Sequence, residues 1–74
     1  MNMHQINLKA AEWVRLYKQK IKIQFFDSVS FFDGKEYREK LICIDGRVTG
    51  SMRLTDYEKV RYIYRGEIAK LRRS

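Results

Sequence analysis

Several residue types are scarce in this chain of 74 residues, and each scarcity excludes a class of protein. A single cysteine excludes an intramolecular disulfide and fits a reducing compartment such as the cytoplasm. One histidine beside one cysteine is too few for the usual four-ligand zinc site, and we expect no metal and no other cofactor. No apolar run approaches the ~20 residues of a membrane span, so we expect no membrane partner. The absence of proline argues against a flexible linker.

What the chain does contain is enough apolar sequence for one small core and a large excess of positive charge. Chains of this length form one domain, and 45% of the residues are apolar. We therefore expect a single domain over residues 1–74. Sixteen lysines and arginines against nine acidic residues give a net charge of +7. An excess of this size is typical of proteins that bind nucleic acid or another anionic partner.

Apolar residues at helical spacing predict a first helix near the start of the chain. The stripe runs from Ile6 to Ile21, and the predicted helix covers residues 8–19. Asn7 is the predicted N-cap, because its side chain can accept a hydrogen bond from an amide of the first turn.

A second helix is predicted at the other end of the chain, over residues 56–72. Its apolar stripe runs from Tyr57 to Leu71. Thr55 and Glu58 match the capping box that begins such a helix, in which each side chain accepts from the backbone of the other.

Between the helices the apolar spacing changes to two, which predicts β-strands. Two Asp-Gly pairs, at 33–34 and 45–46, mark tight turns because this dipeptide readily adopts positive φ angles. They divide the segment into strands over residues 21–31, 35–44 and 47–54, which form an antiparallel meander. The predicted fold is a two-layer α+β domain of order α-β-β-β-α, with both helices packed on one face of the three-stranded sheet.

The burial pattern also predicts how the strands align. A two-residue first turn places Phe25 opposite Ile42. A two-residue second turn would leave Val48 and Met52 facing away from the core. We therefore predict a three-residue loop with Gly46 left-handed, which pairs Ile42 with Val48. The predicted core face of the sheet consists of Ile21, Ile23, Phe25, Ile42, Val48, Met52 and Leu54.

A glycine, Gly50, lies in the third strand, and a hydroxyl residue, Thr55, follows as the predicted cap of the final helix. With the element order and size, this stretch of residues 50–64 resembles the double-stranded-RNA-binding-domain fold, which some small RNA-cleaving toxins also adopt. RNA-binding members place a lysine pair after the cap, where this chain has Asp56 and Tyr57. The strand histidine of the toxins is missing as well. The resemblance therefore implies the topology and no site residues.

No set of residues forms a convincing catalytic site. His4 stands near the start of the chain, and Cys43 lies within an apolar strand, where a small buried thiol is expected. Asp33 and Asp45 are explained by the turns, and Asp56 by the start of a helix. We expect a protein that is not an enzyme and has no catalytic residues.

Two groups of basic residues are candidate contacts to phosphate or to an acidic partner. Arg61 and Arg65 are like charges one helical turn apart, which destabilises an isolated helix and so favours an anionic ligand. Arginine's planar fork suits phosphate or carboxylate. The candidates are Arg61, Arg65, Arg72 and Arg73, with Arg15, Lys18, Lys20 and Lys22 as a second patch. A solvated helix face is the alternative explanation.

The outward face of the sheet is predicted to carry aromatic residues beside arginines. Phe26, Tyr37 and Phe32 are the candidate stacking residues, near Arg47 and Arg53. Such interleaving is typical of surfaces on which nucleic-acid bases stack. The same aromatics also suit an ordinary strand or a dimer contact.

Two functions remain after these exclusions. The leading prediction is a non-enzymatic module that binds DNA or RNA through phosphate contacts. The competing prediction is a small inhibitor from a phage or mobile element, similar to anti-CRISPR proteins, that docks on an acidic host protein.

A homodimer is predicted from the open sheet edges and the apolar outward face. Phe26, Leu41 and Tyr37 extend that face into a patch large enough for self-association. The strands also carry cations that oppose strand pairing, namely Lys22, Lys40 and Arg53.

Overall fold

The computed structural model describes residues 1–73, and its elements follow the predicted order. Helix α1 spans Met3–Lys18, strands β1, β2 and β3 span Ile23–Phe32, Lys35–Ile44 and Arg47–Arg53, and helix α2 spans Leu54–Arg73. The strands form one antiparallel sheet in the order β1-β2-β3. The predicted α+β fold of order α-β-β-β-α is confirmed.

Helix α1 begins at Met3, well before the predicted start, and Asn7 is not its N-cap. The cap is Asn2, whose side chain accepts from the amide of Gln5 at 2.8 Å. The side chain of Gln5 in turn accepts from the amide of Asn2 at 3.0 Å, which completes a capping box. The apolar stripe gave no sign of this turn, because the residues before Ile6 are exposed.

Helix α2 follows β3 without a loop, and its start also differs from the prediction. It begins at Leu54, so Thr55 lies inside the first turn and does not cap the helix. Asp56 is the acidic residue of that turn, where a negative charge complements the positive pole of the helix dipole.

Both Asp-Gly pairs form two-residue turns. The first has positive φ angles at Asp33 and Gly34, 52° and 73°, as the predicted turn requires. It pairs Phe25 with Ile42, so the predicted register of β1 and β2 is confirmed.

The second turn also has two residues, and the predicted three-residue loop is wrong. Asp45 and Gly46 have φ angles of 53° and 82°, and Ile44 pairs directly with Arg47. This geometry matches the right-handed twist of the flanking strands.

The extra residue is accommodated inside β3, as a bulge at Thr49. Cys43 pairs with Val48, whereas the preceding residue, Ile42, pairs with Gly50. The hydroxyl of Thr49 donates to the carbonyl of Ile42 at 3.3 Å. A bulge shifts the alternation by one residue, so the two halves of β3 present opposite sets of side chains to the core.

This shift decides which residues of β3 are buried. Met52 is buried, as predicted, but Val48 is 63% exposed and does not belong to the core. Ile21 is half-buried and lies outside the core cluster as well.

The core lies between the helices and one face of the sheet, and its centre is Trp13. The Trp13 ring centroid lies 4.7 Å from that of Phe25, 6.2 Å from that of Tyr57 and 5.8 Å from that of Tyr64. Around this aromatic cluster pack Ile6, Ala10, Ile42, Met52 and Val60. The contact of Trp13 with Tyr64 joins α1 to α2.

Candidate nucleic-acid interface

The two helices run parallel, so their C-terminal ends lie side by side. At this end the Nε of Arg72 donates to the hydroxyl of Tyr17 at 3.5 Å. At the opposite end the amino group of Met1 lies 3.4 Å from a carboxylate oxygen of Asp56. Because a helix dipole is negative at its C-terminus, two negative poles meet at one end of the molecule.

Six basic side chains surround two tyrosines at this end, and we call this surface the cationic cleft. It consists of two adjoining depressions of about 510 and 520 Å³, with Tyr17 and Tyr64 lining both. The basic residues are Lys18, Lys20, Lys22, Arg65, Arg72 and Arg73. Among residues 1–73, no carboxylate side chain lines either depression.

Part of this charge complements the helix dipoles. Lys18 lies in the last turn of α1, and Arg72 and Arg73 lie in the last turn of α2. Lys22 and Arg65 lie outside both last turns. The cleft therefore holds more positive charge than the helix ends account for.

The chain leaves α1 through a left-handed residue, Lys20, with a φ of 60°. Its amide donates to the carbonyl of Tyr17, and the amide of Ile21 donates to that of Leu16, both at 3.0 Å. These two bonds form the Schellman motif, whose left-handed position favours glycine. A Cβ there costs about 1–2 kcal/mol. The lysine is thus unfavourable for the backbone, while its side chain lines the cleft.

Near neutral pH, Tyr64 stays neutral and Arg72 stays positively charged. Burial raises the pKa of Tyr64, and Tyr17 raises it further, against the opposing effect of Arg72. The hydrogen bond to Tyr17 raises the pKa of Arg72, as does the attraction of the two phenol groups. Tyr64 therefore keeps a hydroxyl that can donate, beside a guanidinium that stays charged.

Two of the eight predicted basic residues lie outside the cleft. Arg15 lines a groove of about 420 Å³ between the helices, together with Glu67. Arg61 lines a depression of about 650 Å³ on α2, which also contains Glu58 and Glu67. The carboxylates in both places weaken the attraction for an anion.

The predicted stacking residues do not form a common platform. Phe26 and Tyr37 are about half exposed, at 49% and 44%. The strand pairing sets Phe26 opposite Leu41 and Tyr37 opposite Ser30. The two rings are thus four residues apart along the strands, about 13 Å. Phe32 is exposed at the end of β1.

Two residues of the cleft were missed as functional residues in the sequence. Tyr17 and Tyr64 fall within the apolar stripes of their helices, and such a stripe indicates the face that packs in the core. They are half-buried, and each presents a surface to the cleft. Only the parallel arrangement of the helices brings them together, and no local sequence pattern encodes it.

The start of α2 is unsuited to phosphate. In this protein Tyr57 is buried in the core, and Asp56 accepts from the amino group of Met1. The cleft lies at the opposite end of the same helix.

Within residues 1–73, no three His, Cys, Asp or Glu side chains are grouped so that they could hold a metal ion. Neither helix of that part of the chain is long and apolar enough to cross a membrane. No protein family, characterised protein or solved structure matches the chain. Its function is therefore inferred from the fold and the cationic cleft.

Proposed function

We propose that this protein binds nucleic acid without catalysing a reaction, and that the cationic cleft contacts the phosphates. The observation that carries the proposal is the grouping of six basic side chains around Tyr17 and Tyr64. Lysine and arginine supply much of the contact to phosphate oxygens, and tyrosine hydroxyls add donors. The lone cysteine fits a cytoplasmic protein.

The charge in the cleft is not neutralised by ion pairs. None of its six cations pairs with a carboxylate within residues 1–73. Elsewhere basic residues do form such pairs, namely Lys9 with Glu12, Arg38 with Glu36, Lys40 with Asp27, and Lys70 with Glu67. This contrast supports an anionic ligand at the cleft.

We expect the affinity to fall steeply with salt. Each phosphate contact contributes about 0.7–0.9 to the slope of log K against log salt, so four to six contacts give a slope of roughly −3 to −5. Fluorescence anisotropy with labelled single- and double-stranded DNA and RNA of about 20 nucleotides measures this slope. Salt-independent binding, or no binding to any of the four probes, contradicts the proposal.

A second candidate is an inhibitor from a phage or mobile element that docks on an acidic host protein. Arg72 is held against Tyr17, and arginine and tyrosine are enriched at the energetic centres of protein interfaces. The absorbance ratio at 260 and 280 nm shows whether the purified protein carries nucleic acid. A nucleic-acid-free protein that binds none of the four probes, and captures one acidic partner from nuclease-treated lysate, supports this candidate.

We expect Lys20→Gly to raise stability and lower affinity at once. Removal of the Cβ relieves the left-handed conformation and should raise the free energy of unfolding by about 1 kcal/mol. Loss of the ammonium group should weaken binding several-fold. Urea denaturation and anisotropy on the same preparation measure both effects.

Lys20→Gln is the matched control, because it removes the charge and keeps the Cβ. It should weaken binding as much as Lys20→Gly while leaving stability unchanged. Equal stability of the two variants would show that the backbone at Lys20 is not strained. Unchanged affinity in both would remove Lys20 from the binding surface.

A further inference from the structure

The β1–β2 hairpin extends past the rest of the protein as a two-stranded arm of residues 29–38. Strand β3 pairs with β2 only as far as Glu39, whereas β1 and β2 stay paired up to Phe32 and Lys35. All residues of the arm are exposed, and the molecule measures 49 × 27 × 17 Å. A two-stranded hairpin is marginally stable in water unless something packs on it.

The arm carries large apolar side chains that the rest of the described chain leaves largely exposed. Phe31 is 74% exposed, Phe32 73%, Val29 51% and Tyr37 44%. These side chains lie on both faces of the arm: Phe31 and Val29 are on the side of the helices, and Phe32 and Tyr37 are on the outward side. Large apolar side chains exposed together on a small protein favour an interaction surface.

The two edges of the sheet differ in how they are protected from pairing. The β3 edge is short, bulged at Thr49, and has arginines at both ends. Strand β1 spans Ile23–Phe32 without a lysine, arginine or proline. Its single charged residue, Asp27, is paired with Lys40 at 2.6 Å. Charges, bulges and short length are the usual protections of an edge, so β1 is the edge left able to pair.

We propose that β1 pairs with β1 of a second copy of this chain, antiparallel about a two-fold axis at Ser28. The two sheets then join into one sheet of six strands. Phe31 of each arm lies opposite the partner's Phe25, at the margin of the partner's core. The helix-side face of the arm, which lacks cover in one copy, is thus covered by the body of the other.

The alternation of side chains along β1 selects this register. The row on the helix side is Ile23, Phe25, Asp27, Val29 and Phe31, and the outward row is Gln24, Phe26, Ser28, Ser30 and Phe32. When the helix-side row of one copy pairs with the helix-side row of the other, the apolar row continues beneath the helices of both copies. An axis at Asp27 would set two carboxylates opposite each other, and an axis at Val29 would form fewer pairs. Ser28 avoids both.

The charges at the two ends of the contact are compatible with this arrangement. The turn of each arm reaches the start of the partner's β1, which brings Asp33 beside the partner's Lys22. The partner covers Phe31, whereas Phe32 and Tyr37 stay on the outward face. The two Phe31 rings contribute roughly 300 Å², and the surfaces that cover them a similar area, so the contact is smaller than the about 1,200–2,000 Å² of a standard interface and dimer formation depends on protein concentration. The proposal does not depend on what the cationic cleft binds.

Light scattering at about 100 μM protein tests the proposal, because dimer formation depends on concentration. We expect twice the chain mass of 9.0 kDa. Phe31→Ser should weaken the dimer at least tenfold, because this ring is covered by the partner. Phe32→Ser is the matched control, since the two rings are equally exposed in one chain but Phe32 stays on the outward face. A monomer, or equal effects of the two variants, overturns the proposal.

A cysteine at the axis tests the register directly. Ser28→Cys should form a disulfide-linked dimer under mild oxidation, because residues opposite each other in adjacent strands lie within disulfide range. Ser30→Cys should not, because its two copies lie four residues apart along the strands, about 13 Å. The wild type, whose Cys43 is buried, gives the background. Cross-linking at Ser30 alone, or at neither position, overturns the register.

Discussion

Replacing Lys18, Lys20 and Lys22 together with glutamine should lower nucleic-acid affinity by roughly 10²–10³-fold in about 0.1 M salt. These lysines line one half of the cationic cleft, and no carboxylate within residues 1–73 shares their depression. Losing three phosphate contacts should also lower the salt slope by roughly 2–3. A salt titration by anisotropy measures both effects, and circular dichroism verifies the fold.

The control for this variant removes the same charge from the other parts of the surface. Replacing Lys35, Arg53 and Lys59 with glutamine also lowers the net charge by three, and all three side chains are exposed. Because the overall field attracts a polyanion only weakly at this salt, the control should lose less than about fivefold in affinity. Equal losses in the two variants would show that binding follows net charge and not the cleft.

The fold was predictable because each element has a local signal. Both Asp-Gly turns and both helical stripes were recognised, and they determine the α-β-β-β-α order. The start of α1 was missed although Asn2 and Gln5 carry a capping signal. That signal precedes the apolar stripe, so a prediction based on burial alone began the helix too late.

The register of β3 was not predictable from alternation alone. Val48 and Met52 are both apolar, and a regular strand with a longer turn would bury both. The protein instead keeps the two-residue turn and inserts a bulge at Thr49, which leaves Val48 exposed. The two-residue turn suits the twist of the strands, and the bulge lets Met52 pack against the helices. The sequence of β3 alone indicates neither requirement.

The basic residues were predicted individually, but their grouping required the structure. Arg61, Arg65 and Arg72 share one side of α2, yet Arg61 lies about 16 Å from Arg72 along the helix axis. The end of α1 and the residues that follow it bring Lys18, Lys20 and Lys22 only to the C-terminal part of α2. Arg65 and Arg72 therefore join the lysines in the cationic cleft, and Arg61 does not.

Trp13→Ala should remove a large share of the protein's free energy of unfolding at 25 °C. Trp13 is fully buried, and its ring contacts Phe25, Tyr57 and Tyr64, so it joins α1 to the sheet and to α2. Truncating a buried tryptophan costs about 3–5 kcal/mol. A domain of this length has a total stability of about 4–11 kcal/mol, so the loss takes up a large share of it. Urea denaturation followed by far-ultraviolet circular dichroism, at one fixed protein concentration, measures the change.

Two further variants separate core packing from the loss of an aromatic ring as such. Tyr62→Ala removes a ring that is 83% exposed on α2, and it should change stability by less than about 0.5 kcal/mol. Trp13→Phe keeps an aromatic ring and removes an indole N–H that has no hydrogen-bond acceptor within residues 1–73. Its cost should therefore be smaller, about 1–2 kcal/mol, since the lost volume is partly offset by removing a buried unpaired donor. If Trp13→Ala were no more harmful than Tyr62→Ala, Trp13 would not be the centre of the core.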